Sequence, residues 1–586
     1  MRVLGFSGMH DSVAFKRREM PDLDSRHYRI VQGLDAAAAL VDDRGVVAAA
    51  AEERFTGEKA TGAFPLEAIS FCLERGGITM SEVDRVAFGF DYRPTEVHEV
   101  SDHTRRRFRE VYSADVRIAL LDAHWPGLDW GEIFVPVPHH HAHAASSYYL
   151  SGFEEALVLV ADGMGETESM TVFRAAGDDL SVLRQVPALH SLGTLYGVVT
   201  LYLGFDFAMD EYKVMGLAPY GDRTRYAREL ERLVRLGERG RYTVPLLGEN
   251  RGWLENETQA GALRVLTELF GAPRSPGAPV EQRHMDVAAA AQAVLERTLL
   301  HVVRHFTEET GLRKLCLAGG VALNCAANGL LARSGLVERM FVQPASGDDG
   351  TALGAALYAR AQNGLAHRSR MGMPYWGPAF SNEQIFKAVE STPGCTARGA
   401  SPVEVVNETA RHISEGRVVA WFQGAMEFGP RALGNRSILA DPRDPGMRDH
   451  LNAVVKQRED FRPFAPVVRH EDVHRLFDVV AGTEEQYAHM LFVAQVKDEF
   501  REKLPAVTHV DGTARVQVVR REDNERLWEL IRVFGELSGV PVLLNTSFNL
   551  RGQPVIRDPD TALRTFLRSE LDYLVMGDYL VARDAH

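Results

Sequence analysis

Four of the five positions from 139 to 143 are histidine: His139, His140, His141 and His143. On a helix, residues four apart share a face, so the imidazoles of His139 and His143 can reach one ion. Imidazole suits iron, zinc and related first-row metals. Two ligands are too few, and carboxylates must complete the sphere. Asp162 in VADGMGE and Asp348 in SGDDG close apolar strands beside glycines and are the candidates. A surface histidine cluster with aspartates in ordinary turns has the same spacing, so spacing leaves both readings open.

A second set of residues suits anions. Arg431, Arg436, Lys456, Arg458, Arg462 and Arg515 stand out in an acidic chain, with Asn545, Thr546 and Ser547 at a strand end. The guanidinium fork matches phosphate and carboxylate. Together they could hold a small phosphorylated substrate; scattered arginines paired with nearby acids are the alternative. Three glycine turns, DGMGE, GGVALN and GDDGTALGAA, each follow an apolar strand. Such turns bring backbone N–H groups close to phosphate oxygens, and three in one half favour nucleotide binding. Lys213 in EYKVMGLAPYG adjoins a further glycine turn, but alone it reads as a solvated lysine.

The elements that must position these residues are α/β in both halves. A strand RVLGFSG leads into a charged stretch, then a hairpin turning at Asp43-Arg44-Gly45, a helix PLEAISFCLERGG and a strand RVAFGFD. ALVLVADGMGETESMTVFRA predicts strand, turn, strand; MDVAAAAQAVLERTLLHVVRHFTEETG predicts a long helix. KLCLAGGVALNCAANGLLARSG and MFVQPASGDDGTALGAALYARAQ share one strand–turn–helix plan, which puts Asp348 at a strand's carboxyl end, where α/β ligands bind. Residues 363–380 read as a linker. Beyond it follow a helix VVNETARHISEG, a strand VVAWFQG, a helix NERLWELIRVFGELSG, a strand VPVLLNTSFN, a helix TALRTFLRS and one strand YLVMGDYLVAR. No short tandem repeat is visible.

The bulk numbers set limits. At 586 residues the chain exceeds one compact core. A net charge of -14 repels phosphate backbones, so no nucleic-acid partner is expected. No apolar run reaches membrane-spanning length. The N-terminus has no signal architecture. Four scattered cysteines without CxxC spacing read as buried reduced thiols. The expectation is a cytoplasmic protein with no membrane association and no obligate protein partner.

The motifs taken together carry a resemblance. AEERFTGEK, HHHAHAASSYYLSG, DGMGE, EYKVMGLAPYG, GGVALN, GPRALGNRS, FRPFAP, THVDGTARVQVV and LLNTSFN occur in the order found in one family. The chain resembles the carbamoyltransferases that include the nodulation and antibiotic-tailoring O-carbamoyltransferases. EYKVMGLAPYG and HVDGTARVQVV are most similar to members acting on macrocyclic antibiotics such as ansamycins. The resemblance implies a large domain over 1–365 with an actin-like ATPase fold, similar to the tRNA threonylcarbamoyl transferase subunit. It implies a C-terminal α/β domain over 366–586, similar to enzymes that make threonylcarbamoyl-adenylate. Members turn carbamoyl phosphate and ATP, with Mg²⁺, into carbamoyl-adenylate. They pass the carbamoyl group to an acceptor hydroxyl at a site holding Fe²⁺ or a similar first-row metal. Position by position, His139, His143, Asp162 and Asp348 match the metal ligands. Lys59, Gly320 and Asn324 match nucleotide contacts. Arg431, Lys456, Arg462, Arg515, Asn545 and Ser547 match the carbamoyl phosphate and adenylate site. The implied acceptor is a small-molecule natural product: a macrocyclic polyketide, its deoxysugar, or an aminoglycoside.

Two positions depart from the family. A His-Asp pair usually leads into the second strand, and that histidine is the expected base; here Leu34-Asp35 stand there. His10, just after the first strand, is the candidate replacement, with the charged insertion that follows shaping acceptor access. His27 inside the insertion is a rival, and an ordinary loop histidine is the alternative for His10. An arginine often precedes the glutamate of GAMEFGPRALG, where this chain has Ala425-Met426 before Glu427. A small-molecule kinase on the actin-like fold remains as a second enzyme class; it leaves the basic C-terminal half without a role. A non-catalytic ATP-dependent binding module is the third. The insertion and the helical stretch 97–123 carry no readable acceptor specificity.

Overall fold

The computed structural model describes residues 1–94 and 101–584. The chain divides into two compact units, Met1–Glu53 with Ala60–Met371, and Arg54–Lys59 with Gly372–His586. The excursion of residues 54–59 into the second unit has no counterpart in the sequence reading.

The first unit is built on two five-stranded sheets with the same plan. In the first, β1 (Val3–Phe6) is central: it pairs antiparallel with β2 (Ala37–Asp42) and parallel with β4 (Arg85–Phe88). β3 (Gly45–Ala51) extends the antiparallel side and β5 (Phe134–Pro136) the parallel side, giving the order β3-β2-β1-β4-β5. In the second, β6 (Glu155–Ala161) is central, antiparallel to β7 (Glu168–Ala176), which pairs with β8 (Asp179–Pro187). On its other side strand Lys314–Ala318 and then strand Arg339–Val342 run parallel. This duplication of strand order and pairing is the actin-like arrangement. It is invisible as a sequence repeat because strand order depends on which apolar segments pair, not on their letters.

The parallel strands of both sheets deliver their carboxyl ends to loops that hold the chemistry-bearing residues. Helix His139–Tyr148 follows β5, and helix Asp349–Gln362 follows Asp348. These two helices pack flush because position 354 is glycine. A Cβ there would lie 1.7 Å from the Ala142 carbonyl oxygen, so only glycine permits the approach. Gly5 does the same on β1, where a Cβ would lie 1.9 Å from the Ala352 oxygen.

The charged insertion is not a loose loop. It forms helix α1 (Ser12–Glu19) and a short 3-10 turn over Ser25–Arg29. Lys16 within it is 0% exposed and donates to the carbonyls of Ile30 and Glu257 at 2.8 Å, with the Glu257 carboxylate at 3.1 Å. Burial lowers its pKa to about 8, against the opposing pull of Glu257. The stretch expected as helical over 97–123 begins outside the described residues. From Asp102 it forms an α-helix to Arg107, a π-helical turn Phe108–Tyr112 and a second helix Ala114–His124.

The second unit centres on an eight-stranded mixed sheet. Strand Val542–Ser547 lies between Arg436–Ala440 and Ala465–Arg469, antiparallel to both. Helices Pro402–Ser414 and Glu525–Ser538 cover one face with Val405, Ile413, Leu527, Leu530 and Phe534 around a fully buried Trp421. YLVMGDYLVAR, expected as one strand, is a hairpin of Tyr573–Met576 and Tyr579–Arg583. Gly577 at φ 54° makes the reversal; the apolar pattern on either side hid it. All four cysteines are free and buried. Among the described residues no helix is long and apolar enough to cross a membrane.

Candidate functional site

In the first unit His139, His143, Asp162 and Asp348 each offer a ligand atom, and all four atoms lie within 4.8 Å of one another. The Nε2 atoms of His139 and His143 are 3.1 Å apart. Asp162 Oδ2 lies 3.2 Å from the first and 3.7 Å from the second; Asp348 Oδ1 lies 3.6 and 3.9 Å from them. His139 Nδ1 sits 2.9 Å from the Gly89 carbonyl. A carbonyl only accepts, so Nδ1 carries the hydrogen and Nε2 is the face turned to the cluster, the usual orientation of a metal-ligating histidine. Phe90 stacks on the same ring at 3.9 Å, interplanar angle 13°.

Electrostatics agree that positive charge belongs at the centre. Burial alone would lower the His139 pKa, but the carboxylates of Asp348 and Asp162 raise it well above the usual value. Burial alone would raise Asp162, but hydrogen bonds from His139 and His143 hold it well below. Two facing carboxylates and two convergent nitrogens fit a borderline divalent ion as a donor set. His140 and His141 do not join them. His140 Nδ1 bonds Thr171 Oγ1 at 2.7 Å, and burial pushes its pKa well down; the His141 ring packs edge-on against Phe173 and Tyr358.

The residues carried over to the nucleotide have these partners in the fold. The Gly320 N–H donates to Asp162 Oδ1 at 3.0 Å, so it serves the His/Asp cluster. Asn324 caps helix Cys325–Arg333 through Ala327 N–H and exchanges hydrogen bonds with Gln292 in both directions. Lys59 lies in the second unit. Gly354 of GDDGTALGAA serves helix packing as described above, and Gly350 lets the backbone approach the Ala345 carbonyl. Lys213 pairs with Asp210 at 2.9 Å.

The candidate bases are also placed. His10 accepts a hydrogen bond on Nδ1 from the Phe64 N–H at 3.2 Å, and its Nε2 faces Asp11 at 3.5 Å. His27 is lowered by burial; the charges acting on it are Asp24, Arg26 and Lys16, none from the His/Asp cluster. Asp35, noted in the sequence only as half of an altered pair, is drawn into the site. Burial and then repulsion from Asp349, Glu53 and Asp348 raise its pKa well above the carboxylate range.

In the second unit Lys456 and Ser547 meet. The buried Lys456 ammonium donates to the Ser547 carbonyl, to Asn549 O at 3.0 Å and to Asn549 Oδ1 at 2.8 Å. Burial, and then the charges of Arg458, Arg462 and Lys59, push its pKa well down. Asn545 is 1% exposed; its amide donates to Gln517 Oε1 and to the Ala432 carbonyl, so it holds the residue next to Arg431. Arg515 lies on a short strand, Thr513–Arg515, paired with Val493–Val496. Arg436 leaves the anion set: it is 0% exposed and donates to the carbonyls of Gln423, Gly424, Asn435, Pro378 and Arg557.

Several supporting residues escaped the sequence reading. Glu427 Oε1 accepts the N–H groups of Leu433 and Asn435 at 2.7 Å and of Arg436 at 3.2 Å, which shapes the loop after Arg431. Gln292 was legible in principle: a glutamine amid AAAAQAVLE on a buried helix face demands a partner. Gln32 and Glu166 had no such signal, because their partners, the Met164 and Gly165 carbonyls and the Tyr92 hydroxyl for Gln32 and the His139 and Asp91 N–H groups for Glu166, lie far away in sequence.

One α/β unit thus carries a duplicated sheet pair and a buried His/Asp cluster, the other a buried lysine among cations. The comparisons name the family. Residues 31–116 and 128–357 match Carbamoyltransferase N-terminus, and residues 410–583 match Carbamoyltransferase C-terminus. The chain belongs to the carbamoyltransferase family and is a carbamoyltransferase. It is 40% identical to Nodulation protein NolNO of Sinorhizobium fredii, over 94% of this chain and 79% of that protein. It is 42% identical to Nodulation protein NolO of Bradyrhizobium diazoefficiens, over 76% of this chain and 78% of that one. An uncharacterized protein of a Synechocystis strain is 38% identical over 94% and 95% of the two chains. Among solved structures, component A of the (R)-2-hydroxyglutaryl-CoA dehydratase of Acidaminococcus fermentans has a TM-score of 0.31 at 14% identity, covering 62% of this chain and 99% of that one. The duplicated strand order, not that overlap, carries the fold assignment.

Proposed function

We propose that this carbamoyltransferase makes carbamoyl-adenylate from carbamoyl phosphate and ATP in its second unit and transfers the carbamoyl group to a hydroxyl of a natural product at the His/Asp cluster of its first. The balance is carbamoyl phosphate, ATP and water giving carbamoyl-adenylate, phosphate and pyrophosphate. The adenylate and an alcohol then give the O-carbamate and AMP. The observation that carries the first half is Lys456, a buried ammonium acted on by three further cations. An anionic ligand would offset this gathering of cations, and carbamoyl phosphate, a small dianion, is suited to it. Arg431, Arg462 and Arg515 are proposed to share the donor and the adenylate, with Mg²⁺ accompanying ATP. Asn545 and Ser547 shape that site.

For the second half, His139, His143, Asp162 and Asp348 would hold Fe²⁺ or a similar metal. Bound there, the metal would supply Lewis acidity toward a carbonyl or an anchor for a phosphate. The surrounding protein orients His139 through Gly89 and Phe90 and buries both histidines and Asp162; exclusion of water there would protect a hydrolysis-prone adenylate. The acceptor class proposed is a macrocyclic polyketide, its deoxysugar or an aminoglycoside. The test is incubation with ATP, carbamoyl phosphate and a panel of hydroxylated antibiotics. A mass gain of one carbamoyl group with stoichiometric pyrophosphate supports the reading. ADP formation without carbamoyl phosphate would replace it with the kinase reading.

His10 is proposed as the acceptor-site base, with His27 as the rival. His10→Ala is expected to lower acceptor transfer by about 10²–10⁴-fold with pyrophosphate release intact. Unchanged transfer would move the base elsewhere.

A further inference from the structure

We infer that Glu166 is the positioning residue that holds three segments of the His/Asp cluster in register. The inference rests on the metal reading above. Glu166 lies four residues after Asp162 on the turn between β6 and β7. Its carboxylate accepts the His139 N–H at 2.9 Å and the Asp91 N–H at 2.7 Å. The first is the leading N–H of the helix that carries both histidines. The second belongs to the loop after β4, whose Gly89 carbonyl fixes the His139 tautomer and whose Phe90 stacks on its ring. One side chain therefore joins the Asp162 turn, the histidine helix and the loop that orients His139.

The choice of a carboxylate has a physical reason. A helix presents unsatisfied N–H groups and partial positive charge at its start. An ionised carboxylate is acceptor-only, so it suits donors from two segments. The turn itself is gripped from the other side: Gln32 Nε2 donates to the carbonyls of Met164 at 3.0 Å and Gly165 at 2.6 Å. Gly165 has no side chain, and a Cβ there would sit 3.1 Å from the His140 ring. Residues 162–166 are thus set by backbone contacts on both flanks, with Glu166 the charged member.

Groups that orient metal ligands typically change affinity by about 10–100-fold when replaced. The test is anaerobic titration of full-length protein with Co²⁺, read by its visible absorption band and by affinity. Glu166→Gln keeps the shape but places an amide N–H₂ against backbone donors. It is expected to weaken Co²⁺ binding by about 10–100-fold and to shift the band. Glu166→Asp keeps the charge at shorter reach and is expected to lose about tenfold. It also serves if Glu166→Gln fails to fold. Wild-type affinity and an unchanged band in the folded variant would overturn the inference, even with a lowered Tm. If wild type and His139→Ala bind Co²⁺ equally poorly, the metal reading itself fails, and the inference with it.

Discussion

His139→Ala is expected to empty the first-unit cluster of metal and to lower acceptor carbamoylation by on the order of 10³-fold, the scale of several kcal/mol of lost charge stabilisation. Pyrophosphate release dependent on carbamoyl phosphate is expected to stay within a few-fold. The reason is local. His139 Nε2 lies closer to both carboxylates than His143 Nε2 does. Without it, Asp162 and Asp348 face a single imidazole across a buried space. Metal per chain by elemental analysis, beside separate assays of pyrophosphate and carbamoylated product, checks the result. Full transfer by a metal-free His139→Ala protein would remove the cluster from the chemistry.

The second large effect is expected at Lys456. Lys456→Met should lower pyrophosphate release dependent on carbamoyl phosphate by about 10²–10³-fold, comparable with removing one preorganised donor to developing charge. Bound metal should be unchanged. A proton signature accompanies it. Burial, and then the charges of Arg458, Arg462 and Lys59, hold the Lys456 pKa well below the usual ammonium value. An arriving dianion favours the charged form and raises the pKa. Carbamoyl phosphate binding should therefore take up a proton at pH values above the depressed pKa. Binding heats in buffers of different ionisation enthalpy measure that uptake. It should vanish in Lys456→Met; uptake of the same size in the variant would place the titrating group elsewhere.

Much of the fold was legible because its elements are strongly patterned. The long helix Gln282–Thr310, the strands before DGMGE and GGVALN, and the helix Glu525–Ser538 follow from apolar period and glycine punctuation. The hairpin at Gly577 was missed because apolar runs on both sides of a two-residue turn read as one strand. Within the site, the choice of His139 and His143 over His140 and His141 rested on i,i+4 spacing and family motifs, and the geometry converges on that pair. Arg436 shows the opposite case. Its neighbours in sequence suit an anion site, but five backbone carbonyls surround it in the fold. Nothing in a string of letters shows which backbone groups will be left unpaired near a given guanidinium.

The sequence by itself determined the element types, the two ligand-bearing motifs and the family, because these depend on side-chain pattern over short windows. Tertiary structure alone decided the rest. The doubling of the strand order, the passage of residues 54–59 into the second unit, the tie of Gly320 to Asp162, and the clamp of Glu166 on His139 and Asp91 join residues distant in sequence. Those contacts are made largely by backbone N–H and C=O groups, which every residue possesses. Only the folded chain selects which of them meet.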